Sequence, residues 1–325
     1  MRLNRIRYSS RYLAIQYFYE NCKWSIRWMC KELSVTRAAY YKWLSRNEST
    51  EEKENKEVAR LIMEYDKKYN HILGYRRMTS WINKHTGSNY NVKRIYRIMR
   101  MLNIHSIIRK KPKKYVRSTP EVTAENIMNR DFYAQAPNLK WATDVTEFKW
   151  YEGPRVHKLY LSAIIDLYDR SVISWVLGKH NNLDLVYSTF DKAFKLYPDA
   201  MPLVHTDRGF QYTTWYFQNS LLKRGMSHSM SRVSHCLDNA PTEGFWGILK
   251  AEMYYTRTFT NEESLRKAVD SYIDFYNNER LQERFNNKAP ALVRAEALGA
   301  EIIPQYPIPE NKRLQKYKKL HYSCI

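Results

Sequence analysis

The stretch that most constrains the fold begins after Pro137, where three apolar-aromatic segments follow one another too closely for a helix to lie between them. Residues 139–150, 158–168 and 171–178 are rich in β-branched and aromatic side chains, the composition of strands. Parallel neighbours need a crossover of a dozen or more residues, so strands joined this tightly pair antiparallel. Asp169-Arg170 is the expected turn between the second and third. A helical pattern over 183–196 then stops before Pro198, and the short apolar run 202–205 forms a fourth strand. A helix over 214–223 ends at Gly225, a fifth strand covers 228–231, and another helix starts near Thr242. Three strands, helix, strand, helix, strand, helix describes a mixed sheet rather than a doubly wound parallel one.

In that order, Asp144 sits in the middle of the first strand, Asp207 ends the fourth, and Glu243 opens the following helix. If the fourth strand lies beside the first, three acids distant in sequence converge at one edge of the sheet. Oxygen donors without Cys or His favour Mg²⁺, or Mn²⁺, over zinc. A pair of such ions suits in-line displacement at a phosphodiester. Glu243, Gly247 and Lys250 share one helix face, and Phe245, Ile248 and Leu249 the opposite, buried one. A helical glycine costs about 1 kcal/mol relative to alanine. Its presence suggests either close approach of DNA, with Lys250 on a phosphate, or close packing of another helix at Gly244 and Gly247. Asp166 and Asp169 are expected in a hairpin turn, Asp238 as a cap or brace of the loop before Glu243 or else a minor metal ligand, and His205 and His228 as hydrogen-bonded structural histidines. Trp141 and Trp246 are expected as core residues.

The chain of 325 residues carries a net charge of +21, and that charge is uneven. Residues 1–120 hold 28 Lys and Arg against 9 Asp and Glu, whereas the remainder holds 26 against 24. A basic front half on a near-neutral back half suggests one part that grips a polyanion and another with a different task. No apolar run approaches the ~18–20 residues of a membrane span, and the arginine-rich start lacks the apolar centre of a signal peptide. A cytoplasmic protein without membrane contact is expected. The four cysteines, Cys22, Cys30, Cys236 and Cys324, form no C-x-x-C pair, so thiols rather than a zinc site are expected.

Within the front half, Tyr12, Ile15 and Tyr19 mark a first helix and Ile26, Met29, Cys30 and Leu33 a second, with Ser25 as its N-cap. A turn near Ser34-Val35 leads to a helix capped by Thr36, with Ala39, Tyr40 and Trp43 inside and Arg37 and Lys42 outward. This is the layout of a helix-turn-helix. Residues 47–57 are either a linker or an exposed first helical turn. A second helical module carries Val58, Leu61, Ile62 and Tyr65, then Met78, Trp81 and Ile82. A last helix from Val92 has Ile95, Tyr96, Ile98, Met99 and Leu102 on its apolar side. Lys93, Arg94, Arg97 and Arg100 lie on the other side as candidate phosphate contacts. Residues 109–117 hold six cations in nine positions, a strap that includes Lys110, Lys111, Lys113 and Lys114 and that cannot fold compactly alone. The expected division is 1–50 and 51–108 as two DNA-binding modules, 109–136 as basic linker, 137–255 as the sheet-bearing core, and 256–325 as a helical extension with a lysine-rich tail. Within that extension, residues 262–277 form a helix and 276–290 an irregular or short helical return.

The run Trp141-Ala-Thr-Asp144, then Ile165-Asp-Leu-Tyr-Asp-Arg170 and His205-Thr-Asp207-Arg-Gly-Phe-Gln-Tyr212, resembles the DDE transposase and integrase superfamily. Ser229-Met-Ser-Arg232, Asp238-Asn-Ala240, Glu243, Lys250 and Tyr276-Asn-Asn-Glu-Arg280 narrow the resemblance. They are similar to the OrfB-type transposases of the large bacterial insertion-sequence family with two overlapping reading frames, whose typical spacing matches the 35 residues between Asp207 and Glu243. The resemblance implies a ribonuclease-H-like core in which Asp144, Asp207 and Glu243 bind two Mg²⁺ or Mn²⁺ ions. It implies cleavage that frees a 3′-hydroxyl at the element's ends, then strand transfer of that hydroxyl into target DNA. The partners it implies are double-stranded DNA at terminal inverted repeats and target, a second copy of the chain on DNA, and an upstream-frame protein or frameshift fusion. Thr206, Phe210 and Ser234-His235 depart from the family pattern without replacing an acid. A non-catalytic DNA-binding regulator and a nuclease that cuts without joining remain open alternatives.

Overall fold

The computed structural model describes residues 9–47, 49–107, 127–128, 131–231 and 239–308. The chain divides into two compact units, residues Met1–Ile108 and Arg109–Ile325. Lys110, Lys111, Lys113 and Lys114 of the basic strap, Asp238 with the loop 232–238, Cys236, and the tail with Cys324 lie outside the described residues.

The first unit is helical. Helices α1 (Ser9–Cys22), α2 (Ile26–Glu32) and α3 (Arg37–Leu44) close around Tyr12, Ile15, Met29, Cys30 and Tyr40. Ser25 accepts the Trp28 N–H and Thr36 the Ala39 N–H, so both expected caps form. The α2–α3 turn passes through Ser34 at φ 52°, a left-handed conformation that tightens it. Tyr19 is 47% exposed; one turn beyond Ile15, it has left the face that α2 and α3 cover. The polar stretch after Asn47 is no linker. Ser49 and Glu52 form a reciprocal capping box that starts α4 (Thr50–Lys68), satisfying two otherwise orphaned N–H groups. Helices α5 (Tyr75–Thr86) and α6 (Val92–Met101) pack with α4, and Gly87 supplies the left-handed end of α5.

The second unit is built on one sheet of five strands, β1 (Lys140–Glu152), β2 (Arg155–Asp166), β3 (Val172–Gly178), β4 (Leu203–Thr206) and β5 (Ser227–Met230), in the order β3-β2-β1-β4-β5. The first three are antiparallel, and β4 and β5 add in parallel, the mixed sheet expected from the short connections. The first half of β1 is buried while its last residues are exposed, because helices cover only the base of the long β1–β2 hairpin. Helices α7 (Leu183–Leu196) and α8 (Trp215–Leu222) cover one face, with Trp141, Phe190, Val204 and Phe217 between. Helices α9 (Ala240–Leu249) and α10 (Glu262–Asn278) cover the other, with Phe148, Leu161, Phe245, Leu249 and Ile273 between.

The return after α10 contains one short helical turn, Glu283–Phe285, and is followed by a helix that the sequence pattern did not mark, α11 (Pro290–Gly299). Its Arg294 donates to Asp166 at 3.1 Å and Asp169 at 2.8 Å, and both acids are fully buried. Asp169 also accepts from the backbone and hydroxyl of Ser171. These acids are therefore the anchor of α11 at the β2–β3 turn as well as parts of that turn.

Candidate active site

Residues Lys140, Trp141 and Ala142 of β1 pair in parallel with Leu203, Val204 and His205 of β4. Extending that register by two places sets Asp144 beside Asp207, just past the end of β4. Each aspartate is held by backbone. Asp144 Oδ1 accepts the Val145 N–H at 2.7 Å, and Asp207 Oδ1 accepts the Gly209 N–H at 2.8 Å. Glu243 lies in the first turn of α9, and one turn on the Trp246 indole N–H donates to Asp144 Oδ2 at 3.0 Å. One bond thus ties the helix that carries the glutamate to the strand that carries the first aspartate.

The electrostatics fit three acids forced together. Burial first, and the charge of Asp207 second, push the Asp144 carboxyl well above its usual range. Burial also raises Asp207, and burial with the charge of Asp207 raises Glu243. Among the described residues none of the three forms an ion pair. Nor, among those residues, does any set of three His, Cys, Asp or Glu side chains stand close enough to hold a metal ion. Asp144 and Glu243 each feel the charge of Asp207, and Asp144 that of Glu243 as well.

Two residues to which the sequence reading gave no part in the site shape this corner. A Cβ on Gly209 would lie 2.5 Å from Gln211 Oε1 and 3.0 Å from Asp207 Oδ1, so the loop comes this near the carboxylate only without a side chain. Trp246 is buried as expected for a core residue, yet its polar edge is spent on Asp144. A tryptophan on a buried face one turn after an acid was the available signal, since a buried indole N–H needs an acceptor. Behind the acids His205 hydrogen-bonds Ser229 and Ser231, and His228 contacts Thr206. Burial, then His205, pushes His228 down to about 4, leaving it neutral and structural.

Lys250 follows α9 at the start of a π-helical turn, Lys250–Tyr254, a distortion common at functional sites. The lysine is half-buried with its ammonium 5.4 Å from the Phe148 ring centre, and burial lowers its proton affinity. A Cβ on Gly244 would meet nothing within 4 Å; among the described residues no helix packs there.

In the helical unit Arg37, Lys42, Lys93, Arg97 and Arg100 are exposed. Arg94 is not presented outward with them. It donates to Asn55 at 2.8 Å and pairs with Glu54 at 3.0 Å, tying α6 to α4. Tyr96, placed on the apolar side by periodicity, is 43% exposed beside Arg100, because the buried stripe of this short helix is narrower than its run of apolar residues.

Comparison with known proteins follows the same division. Residues 134–236 match the integrase core domain model, residues 243–296 a second integrase core domain model, and residues 52–112 an HTH-like domain. InsK of Escherichia coli (strain K12), named for insertion sequence element IS150, is 40% identical over 218 residues, 67% of this chain and 75% of that protein. Transposase InsF for insertion sequence IS3A, from the same organism, is 31% identical over 282 residues, 82% of this chain and 95% of that protein. Among solved structures, the HTLV-2 integrase catalytic core domain in complex with magnesium aligns at 22% identity and a TM-score of 0.38, covering 48% of this chain and 95% of that one.

Proposed function

The chain belongs to the insertion-sequence transposases with an integrase core, and on that premise we propose that Asp144, Asp207 and Glu243 are its catalytic, metal-binding acids. The observation that carries this is the convergence of three carboxylates from β1, the end of β4 and the start of α9, each with its charge opposed by burial or by a neighbouring acid. The donor set fits Mg²⁺ or Mn²⁺: hard oxygens, repelling one another, with no thiolate or imidazole among them. When bound, a pair of such ions supplies Lewis acidity at the attacking and leaving oxygens of a phosphodiester.

The chain's own residues position that chemistry. Trp246 and the Val145 and Gly209 N–H groups fix the two aspartates, and Lys250 offers a cation to a neighbouring phosphate. The reaction is hydrolysis at each element end, freeing a 3′-hydroxyl, followed by transesterification. The hydroxyl oxygen attacks a target phosphorus, the target's P–O3′ bond breaks, and the number of phosphodiesters is unchanged.

Residues 1–50 and 51–108 act as the DNA-binding modules, with Arg37, Lys42, Lys93, Arg97 and Arg100 on phosphates and the basic linker 109–136 along the backbone. Residues 137–255 form the catalytic core and 256–325 its helical extension. Joining two element ends calls for at least two copies on DNA, and the two-frame family makes an upstream-frame partner or fusion part of the system. No helix among the described residues is long and apolar enough to cross a membrane, and work on chromosomal DNA places the protein in the cytoplasm at the nucleoid.

An oligonucleotide carrying the element end, incubated with the full chain and Mg²⁺, tests the reaction. Products longer than the input strand are expected; shortened products alone would reduce the activity to that of a nuclease.

A further inference from the structure

A recess of about 450 Å³ opens where the outer half of β1 meets the π-helical turn, lined by Lys149, Tyr151, Lys250, Tyr254, Tyr255 and Arg257 among others. Its back wall is fixed. The Tyr254 hydroxyl donates to the Lys149 carbonyl and accepts the Lys149 N–H, both at 2.9 Å, and the Tyr151 N–H donates to the Phe259 carbonyl at 2.9 Å. These bonds close the part of the β1 edge that short β4, paired only as far as Ala142, leaves bare.

The recess is lined by three cations, Lys149, Lys250 and Arg257, and one carboxylate, Glu147. Half-buried Lys250 and exposed Arg257 form no ion pair among the described residues. The one carboxylate in the lining, Glu147, is engaged by Lys158 at 3.0 Å and Lys149 at 4.0 Å. Beside these cations Tyr255 is 72% exposed, its ring 5.4 Å from that of Tyr254. A large aromatic face left in water next to unpaired cations matches the two halves of a nucleotide, a stacking base and a phosphate. The volume is within the range of small-ligand sites, about 300–1,000 Å³. A base inside a duplex has both faces covered and cannot offer one to Tyr255.

We propose that this recess is a subsite for one unpaired nucleotide of the DNA strand at the acids, its base stacked on Tyr255 and its phosphate between Lys250 and Arg257. The inference rests on the reading of the acids as a DNA-processing site.

The test uses the full chain in EDTA and a duplex with a short single-stranded end carrying 2-aminopurine. Binding quenches the fluorophore in the wild type. Tyr255→Ala abolishes the quenching and weakens binding about fivefold or more, with an unchanged melting temperature because the side chain is exposed. Tyr255→Phe restores both. Arg257→Ala reduces the slope of log affinity against log salt by about 0.7. Wild-type quenching in Tyr255→Ala would place the base elsewhere and overturn the subsite. A wild type that binds and quenches in EDTA but never cuts in Mg²⁺ would sink the catalytic reading and leave the subsite standing.

Discussion

At the scale of single residues, the site depends on a few contacts that each have one job. Trp246→Phe keeps an aromatic ring on the buried face and removes only the donor to Asp144. A hydrogen bond to a charged group contributes about 1.5–3 kcal/mol. Metal-dependent activity should therefore fall on the order of tenfold to a hundredfold, together with the rise in melting temperature that Mg²⁺ gives the wild type. A variant that loses activity but keeps the full Mg²⁺ stabilisation would deny the indole this role. Gly209→Ala should act through Asp207, since the added methyl meets that carboxylate; Mg²⁺ titration by calorimetry should show affinity at least about tenfold weaker, following the loss typical of a ligand's supporting contacts.

The acids also set a pH dependence. All three are raised in the folded chain, so the unfolded chain gives up its protons first. The associated stability is fully present below the unfolded values, about 4, and is lost as pH rises through the folded ones. The contribution of these acids to thermal stability in EDTA should thus decline from about pH 4 upward, read as the difference between wild type and Asp144→Asn across the pH range. Asp144→Asn should flatten that decline and melt higher than wild type at pH 7; an equal slope in the variant would mean that Asp144 is not a source of the strain.

At the scale of elements, most boundaries were legible because patterning and caps are local. Short connections between strands dictated antiparallel pairing, and Ser25 and Thr36 cap the helices they precede. What escaped was set by contacts across long sequence separations. Arg94 looks like a phosphate ligand in its own helix, and only the position of α4 commits it to Asn55 and Glu54. Asp166 and Asp169 look like turn residues until Arg294, more than a hundred positions later, reaches them. Residues 47–57, open in the sequence between a linker and an exposed first helical turn, are decided for the turn by the local capping box of Ser49 and Glu52. Removing one partner of a buried ion pair costs about 3–5 kcal/mol. Arg294→Met should accordingly lower the melting temperature sharply, and paired substitution of Asp166 and Asp169 by Asn should recover part of the loss. A melting temperature within a degree or so of wild type would mean that α11 is not anchored through this cluster.

At the scale of the whole molecule, the boundary between the two compact units lies at Ile108, ahead of the basic strap, so the first unit holds 22 Lys and Arg against 9 Asp and Glu and the second 32 against 24. On the proposed reading, the exposed cations of the first unit grip DNA and the acids of the second carry the chemistry. Arg97→Ala with Arg100→Ala in the full chain should weaken binding to element-end DNA and reduce the salt slope by about 2, leaving Mg²⁺ binding unchanged. No change in slope would remove α6 from the DNA interface. The sequence reading made the meeting of Asp144 and Asp207 conditional on β4 lying beside β1, and that pairing is present. The glycine beside Asp207 could not be chosen from sequence, because its role depends on a bond direction that no spacing encodes, and the indole left only the signal of a buried donor one turn after an acid.

The central claim is that Asp144, Asp207 and Glu243 act together on a phosphodiester, and Asp207→Asn tests it most directly. The substitution keeps the side chain's size while removing its charge. Element-end DNA should bind the variant as tightly as the wild type in EDTA, while cleavage and strand transfer in Mg²⁺ should fall at least about a thousandfold. A variant that still cuts and joins at the wild-type rate would contradict the assignment.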